Sequence, residues 1–254
     1  MSNPFNRNRI NLYTEMHCHI LPAVGCDPEF TKEALNVLRV FQYYGVNTVY
    51  ATPHIRLSRP SNTHKSIIER AQIFKKQIAE SNLKLNFEVV AEYYVDEGLN
   101  DLIEKEKLLT YPESYVLIEL PMRNKPENLK DIIKNLCDKG YKPIIGHPEL
   151  HHYLRYDWKE LEELKNLGCS FQLNLINMAG YFGEDVVTAT INLLRTKTYD
   201  FVGTGAHSRE QLSLITENLL QDKEAVGLLK NADFKNKIFS KETSFLDDLM
   251  FWRK

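Results

Sequence analysis

The sequence predicts an α/β protein built on a parallel sheet that closes, or nearly closes, into a single-domain TIM-like barrel. Short β-rich runs alternate with amphipathic helical segments seven times along the chain. No low-complexity linker, obvious repeat or charge block divides the 254 residues, a length that α/β barrels reach undivided. Histidines and carboxylates stand where the strands end, which is where such barrels carry their active sites.

Strands are expected near 12–16, 48–52, 86–91, 115–119, 142–146, 171–174 and 200–203. Helices are expected over 28–44, 63–81, 97–106, 126–139, 158–167, 184–197 and 209–220. Asp27-Pro28 reads as an N-cap followed by a first-turn proline, and Gly45 as the stop of that first helix. Phe30, Ala34, Leu38 and Phe41 recur at helical spacing and predict its buried face. Gly140 and Gly168 are placed to end two later helices. From Asn231 onward the chain runs to Leu249-Met250-Phe251-Trp252, expected to be a capping helix or an oligomer contact within the domain 1–254.

Composition narrows the function classes. With 32 basic and 34 acidic residues the net charge is −2, which does not point to nucleic acid. No apolar run approaches the roughly 20 residues of a membrane helix, and polar Met1 to Arg9 does not lead into a signal-type apolar region. Cys18, Cys26, Cys137 and Cys169 are scattered without a paired framework, so reduced thiols and a cytoplasmic location are expected. Cys137 and Cys169 read as small core residues.

The strand-end residues carry the chemistry. Strand alternation makes His17 and His19 point one way and Cys18 the other. His54 follows Val49-Tyr50-Ala51, Glu92 follows Phe87 to Ala91, and Glu119 ends Val116-Leu117-Ile118. His147 follows Pro143-Ile144-Ile145-Gly146, and His207 closes Phe201 to Ala206. Mixed imidazole and carboxylate ligation suits zinc, iron or manganese better than calcium. A carboxylate such as Glu92 can bridge two cations, and paired cations recur in phosphate-ester cleavage. His64 is expected on a helix surface, and His151 and His152 in a loop near the mouth.

These motifs resemble the polymerase-and-histidinol-phosphatase (PHP) superfamily, and within it the bacterial capsule and exopolysaccharide protein-tyrosine phosphatases of the CpsB/YwqE type. The resemblance rests on Met16-His17-Cys18-His19-Ile20-Leu21-Pro22, Ala51-Thr52-Pro53-His54, Ala91-Glu92-Tyr93-Tyr94-Val95-Asp96-Glu97 and Leu117-Ile118-Glu119. Gly146-His147-Pro148-Glu149, Phe171-Gln172-Leu173-Asn174 and Gly203-Thr204-Gly205-Ala206-His207 continue it, in order, over about 12–220. It implies a distorted (β/α)7 barrel with up to three manganese, iron or zinc ions. The substrate would be a phosphotyrosine protein, such as a bacterial tyrosine kinase. It assigns His17, His19 and Glu92 to one cation, Glu92, Glu119 and His147 to a second, and His54 and His207 to a third.

The chain departs from this pattern in three places. Gly205 replaces an aspartate ligand, Leu150 replaces the arginine that grips phosphate, and Cys26 stands where a loop aspartate is usual. Glu92 and Glu119 are then the remaining carboxylate ligands, so fewer than three cations are expected, because uncompensated like charges repel strongly at short range. Cys26 would favour zinc or iron, and Asp27, a catalytic candidate, is the alternative acidic group from that loop. Arg56 and Arg209 are the catalytic candidates to replace the missing phosphate grip, with Arg59 and Arg155 beside them. Two functions stay open: a metal-dependent tyrosine-phosphatase-like hydrolase of reduced activity, or an impaired paralogue that binds a phosphotyrosine protein or kinase tail without cleaving it.

Overall fold

The computed structural model describes residues 12–24 and 30–240. Within them, strands and helices alternate as β1 (Thr14–Cys18), α1 (Thr31–Tyr43), β2 (Thr48–Ala51), β3 (His54–Ile55) and α2 (His64–Glu80). The chain continues through β4 (Asn86–Val89), β5 (Glu92–Tyr94), α3 (Leu99–Lys105), β6 (Tyr115–Glu119), α4 (Leu129–Asp138), β7 (Lys142–Gly146) and α5 (Trp158–Asn166). It closes with β8 (Ser170–Asn174), α6 (Leu175–Met178), α7 (Glu184–Arg195), β9 (Phe201–Gly203), α8 (Arg209–Glu217) and α9 (Lys223–Asn231).

The strands form two parallel sheets, ordered β1-β2-β4 and β3-β5-β6-β7-β8-β9. They meet where two neighbouring strands pause in step. Thr52-Pro53 separates β2 from β3, and Val90-Ala91 separates β4 from β5. Across that break Val90 N–H donates to Ala51 O (3.1 Å) and Glu92 N–H to Pro53 O (3.1 Å). At the outer edges Cys18 and Ala206 form a parallel bridge, with Gly205 N–H donating to His17 O at 2.8 Å and His19 N–H to Ala206 O at 2.9 Å. The α/β class and parallel pairing are therefore as the alternating pattern predicts.

Helices present apolar stripes to the sheets. α1 buries Ala34, Val37, Leu38 and Phe41, and α4 buries Leu129, Ile132, Ile133 and Leu136. Phe30 is a correction: it is 65% exposed. It is the extended N-cap residue (φ −107°, ψ 132°), so its side chain does not lie on the helical face. Asp27-Pro28 lies outside the described residues. Gly45, Gly140 and Gly168 end their helices with φ between +83° and +103°, a region that glycine enters without a Cβ penalty. Thr63 and Ser66 form a reciprocal capping box on α2. α9 follows the expected helix over 209–220 as an additional helix.

The described part of the tail covers the N-terminal ends of the strands. Phe239, in the 3₁₀ turn Asn236–Phe239, is fully buried among Tyr50, Tyr111, Tyr115 and Phe201. Tyr50 Oη donates to Phe239 O at 3.0 Å, and the Asn236 amide bonds Val202 N–H, Val202 O and Thr14 O. Residues 241–254 lie outside the description. No helix among the described residues is long and apolar enough to cross a membrane.

Candidate metal centre

The C-terminal strand ends open into a cleft of about 400 Å³ that holds His17, His19, His54, Glu92, Glu119, His147 and His207 together. Glu92 is its hub, fully buried on β5. Oε1 lies 3.3 Å from His17 Nε2 and 3.1 Å from His147 Nε2, and Oε2 lies 3.3 Å from His19 Nε2 and 3.1 Å from His54 Nδ1. Glu119 Oε2 is also 3.1 Å from His54 Nδ1. The His19 ring stacks between His54 (4.5 Å) and His207 (4.1 Å). Two groups offer donor atoms all within 4.8 Å of one another: His17, Glu92 and His147, and His19, His54 and Glu92.

Local structure explains the convergence. His17 and His19 share a strand face, while Cys18 is buried in the core and its Sγ donates to Tyr50 O. His54 and Glu92 are direct partners in the β3–β5 register. His147 sits at φ +37°, a left-handed backbone rarely used by residues with a Cβ, and such conformations cluster at functional sites.

The protonation pattern can be read from the hydrogen bonds. Gln172 Nε2 donates to Leu173 O, which only accepts, so Gln172 Oε1 must face His17 Nδ1 at 2.8 Å. His17 therefore carries its proton on Nδ1 and turns the Nε2 lone pair towards Glu92 and His19. Burial, against the pull of Glu92, holds His17 below the ordinary imidazole range, so it is neutral. Burial alone would raise Glu92, but positive charge arriving beside it, as on the His17 and His54 imidazoles when they take up a proton, outweighs burial and pulls the carboxyl well below its usual range. For His147 the balance is reversed: burial lowers it, and the bond and charge of Glu92 prevail and raise it. An ionised carboxylate facing a neutral imidazole lone pair at 3.3 Å needs a cation or a proton between them. This donor set fits a divalent transition metal, with Gln172 setting the tautomer of a ligand from behind.

Not every expected residue enters the cleft. Arg56 stacks over Tyr94 at 4.3 Å in a neighbouring cavity, and Arg209 lines a groove between α1 and α8. Arg155 is buried behind the wall, donating to Leu150 O at 3.4 Å. Cys26 and Asp27 fall outside the described residues. Leu150 does line the cleft, as do Met122, Ile176, Tyr181 and Phe182. His64 is a correction: its side chain is only 12% exposed and lies between Glu106 (2.6 Å) and the Tyr93 hydroxyl (2.8 Å). His151 is fully buried, not merely a loop residue, and burial pushes it down to about 3.

Some site residues had no role assigned from sequence. Glu15 is buried beneath His17 and accepts from His17 N–H (2.7 Å) and Thr204 N–H (3.1 Å), while burial pushes its carboxyl up to about 7. A lone acid two residues before His17 on an apolar strand was the available signal. Glu149 accepts from Asn177 Nδ2 (2.7 Å), Tyr199 Oη (2.9 Å) and Asn174 N–H (3.3 Å), pinning the β8–α6 turn beside the cleft. Gln172 and Asn174 alternate onto one strand face, which their spacing could have shown.

The family model for capsular polysaccharide synthesis, CpsB/CapC, matches residues 13–226. The chain belongs to this family. It is 27% identical over 207 residues to tyrosine-protein phosphatase YwqE of Bacillus subtilis (strain 168), covering 81% of this chain and 82% of the relative. It is also 27% identical over 176 residues to tyrosine-protein phosphatase CpsB of Streptococcus pneumoniae, covering 67% and 71%. A solved structure from a study of those two proteins, described as metal-dependent tyrosine phosphatases, aligns with a TM-score of 0.73 at 23% identity. It covers 89% of this chain and 93% of that one, and shows a shared fold.

Proposed function

We propose that this chain is a metal-dependent phosphomonoesterase acting on phosphotyrosine in a protein partner, such as a bacterial tyrosine kinase, in the regulation of capsule or exopolysaccharide synthesis. The observation that carries the reading is Glu92, one buried carboxylate within 3.3 Å of four imidazole nitrogens at the floor of a cleft. The two parallel sheets, taken together, are read as a distorted seven-stranded barrel with the cleft at its mouth. Among the described residues Cys18, Cys137 and Cys169 are thiols rather than disulfides, which favours the cytoplasm.

His17, Glu92 and His147 would hold one manganese, iron or zinc ion, and His19, His54 and Glu92 a second, with Glu119 and His207 completing the set. Such cations supply Lewis acidity and lower the pKa of a bound water. Gln172 keeps the His17 lone pair turned inward, and Glu15 anchors the His17 backbone. Met122, Leu150, Ile176, Tyr181 and Phe182 form an apolar wall suited to an aryl leaving group and to excluding water. Elemental analysis of the purified protein, beside aryl phosphate hydrolysis with added manganese, iron or zinc, tests this. Absence of bound metal together with no turnover refutes it.

A second reading is favoured by one observation: among the described residues lining the cleft, none is Lys or Arg. On that reading the chain binds a phosphotyrosine segment without cleaving it. Bound metal and phosphopeptide binding without turnover would select it.

A further inference from the structure

An anion bound above the ligands needs donors, and the cleft supplies no lysine or arginine among its described lining. Beside the ligand imidazoles and the half-exposed Tyr181 hydroxyl, its neutral side-chain donors are two amides, Asn174 and Gln211. Both have their oxygen tied to an internal group and their nitrogen left over. Because Leu173 O fixes Gln172 Nε2 as a donor, the Asn174 atom 2.9 Å from that nitrogen must be Oδ1. Gln211 Oε1 accepts His207 N–H at 2.7 Å, and a backbone N–H can only donate. Each orientation is thus dictated by a backbone group rather than by the amide itself. Neither NH₂ meets an acceptor among the described residues, and Asn174 is 94% buried by its 6% exposure.

Gly205 makes room for this arrangement. It sits at φ +65°, and a Cβ there would lie 2.3 Å from Asn174 Nδ2. The bare Cα lets the amide stand in the space that any other residue's side chain would occupy.

We propose that Asn174 and Gln211 form a neutral phosphoryl-binding cradle, each donating N–H bonds to the non-bridging oxygens of a phosphate monoester or of the orthophosphate product. The proposal rests on the phosphomonoesterase reading. It makes phosphate recognition depend on two uncharged amides, with Leu150 contributing only to the apolar wall.

The test is orthophosphate binding to the metal-loaded protein by calorimetry, with metal content measured on each sample. Asn174→Ala and Gln211→Ala each remove a donor without adding charge and should weaken orthophosphate binding about tenfold or more, with metal content unchanged. Asn174→Asp and Gln211→Glu keep the shape and the internal bonds but exchange NH₂ for oxygen. They should weaken it at least as much, which guards against a folding defect in the alanine variants. Binding within twofold of wild type in all four overturns the cradle while leaving the phosphomonoesterase reading intact. Loss of metal in the alanine variants also overturns it, because the amides would then serve the centre instead. Metal-loaded wild type that neither binds orthophosphate nor cleaves an aryl phosphate sinks both.

Discussion

Replacing Phe239 by alanine removes the plug from the N-terminal strand ends. The ring is fully buried, stacked on Tyr111 at 4.7 Å and Phe201 at 5.1 Å, and meets the Tyr115 edge at 5.4 Å. Deleting a buried phenyl costs about 3–5 kcal/mol through lost transfer energy and the cavity left behind. The stacking partners, worth about 0.5–1.5 kcal/mol per aromatic pair, push the cost to the upper half of that range. For a domain of this size about 4 kcal/mol lowers Tm by roughly 8–16 °C. Thermal unfolding followed by circular dichroism reads this directly, and Phe239→Leu should recover more than half of the loss. Metal content should not change, because the plug and the Glu92 cluster lie at opposite ends of the strands. A Tm within about 3 °C of wild type would refute the packing argument and make the 3₁₀ turn Asn236–Phe239 a passive appendage.

Three further outcomes follow from the same geometry. Burial, aided by Glu88, raises the Tyr50 hydroxyl to about 12 from 10, so in that interval the folded state holds a proton the unfolded chain has lost. Its contribution is therefore complete below pH 10 and lost as pH rises through about 12, and urea titrations of wild type and Tyr50→Phe should diverge across that window. Glu92→Gln should cut affinity for manganese or zinc by more than the roughly 10–100-fold typical of an outer-shell change, measured by metal titration; undiminished binding would remove Glu92 from the centre. Gly205→Ala should cost about 1–3 kcal/mol by overpacking against Asn174, and Asn174→Ala should relieve part of it, so the double variant in urea unfolding is less destabilised than the sum.

Much of this was legible in the chain. The seven β-rich runs recur close to their expected places because parallel strands buried on both faces read as apolar blocks, as Val116-Leu117-Ile118 does. The residues gathered around Glu92 were visible because each closes such a block. Contacts between residues distant in sequence were not. Nothing local tells that Asn174 fills the space beside Gly205, or that His64 reaches Glu106 across 42 positions. Phe30 failed for a different reason: helical spacing extends past a helix's first residue, whereas the backbone there has already left the helix. Arginine placement was equally invisible, since Arg56 and Arg209 follow ligand motifs yet face neighbouring grooves.

The paired pauses at Thr52-Pro53 and Val90-Ala91 set a rule about length rather than chemistry. Each is two residues long, and together they keep Ala51 opposite Val89 and His54 opposite Glu92. Inserting or deleting one residue in either pause would turn the following side chain to the other face of the sheet. On the Glu92 side, that single change would withdraw the carboxylate from four imidazoles at once, with every ligand still present in the sequence. Relatives that share the centre should therefore tolerate varied helices and surface loops while holding these two short gaps to equal length.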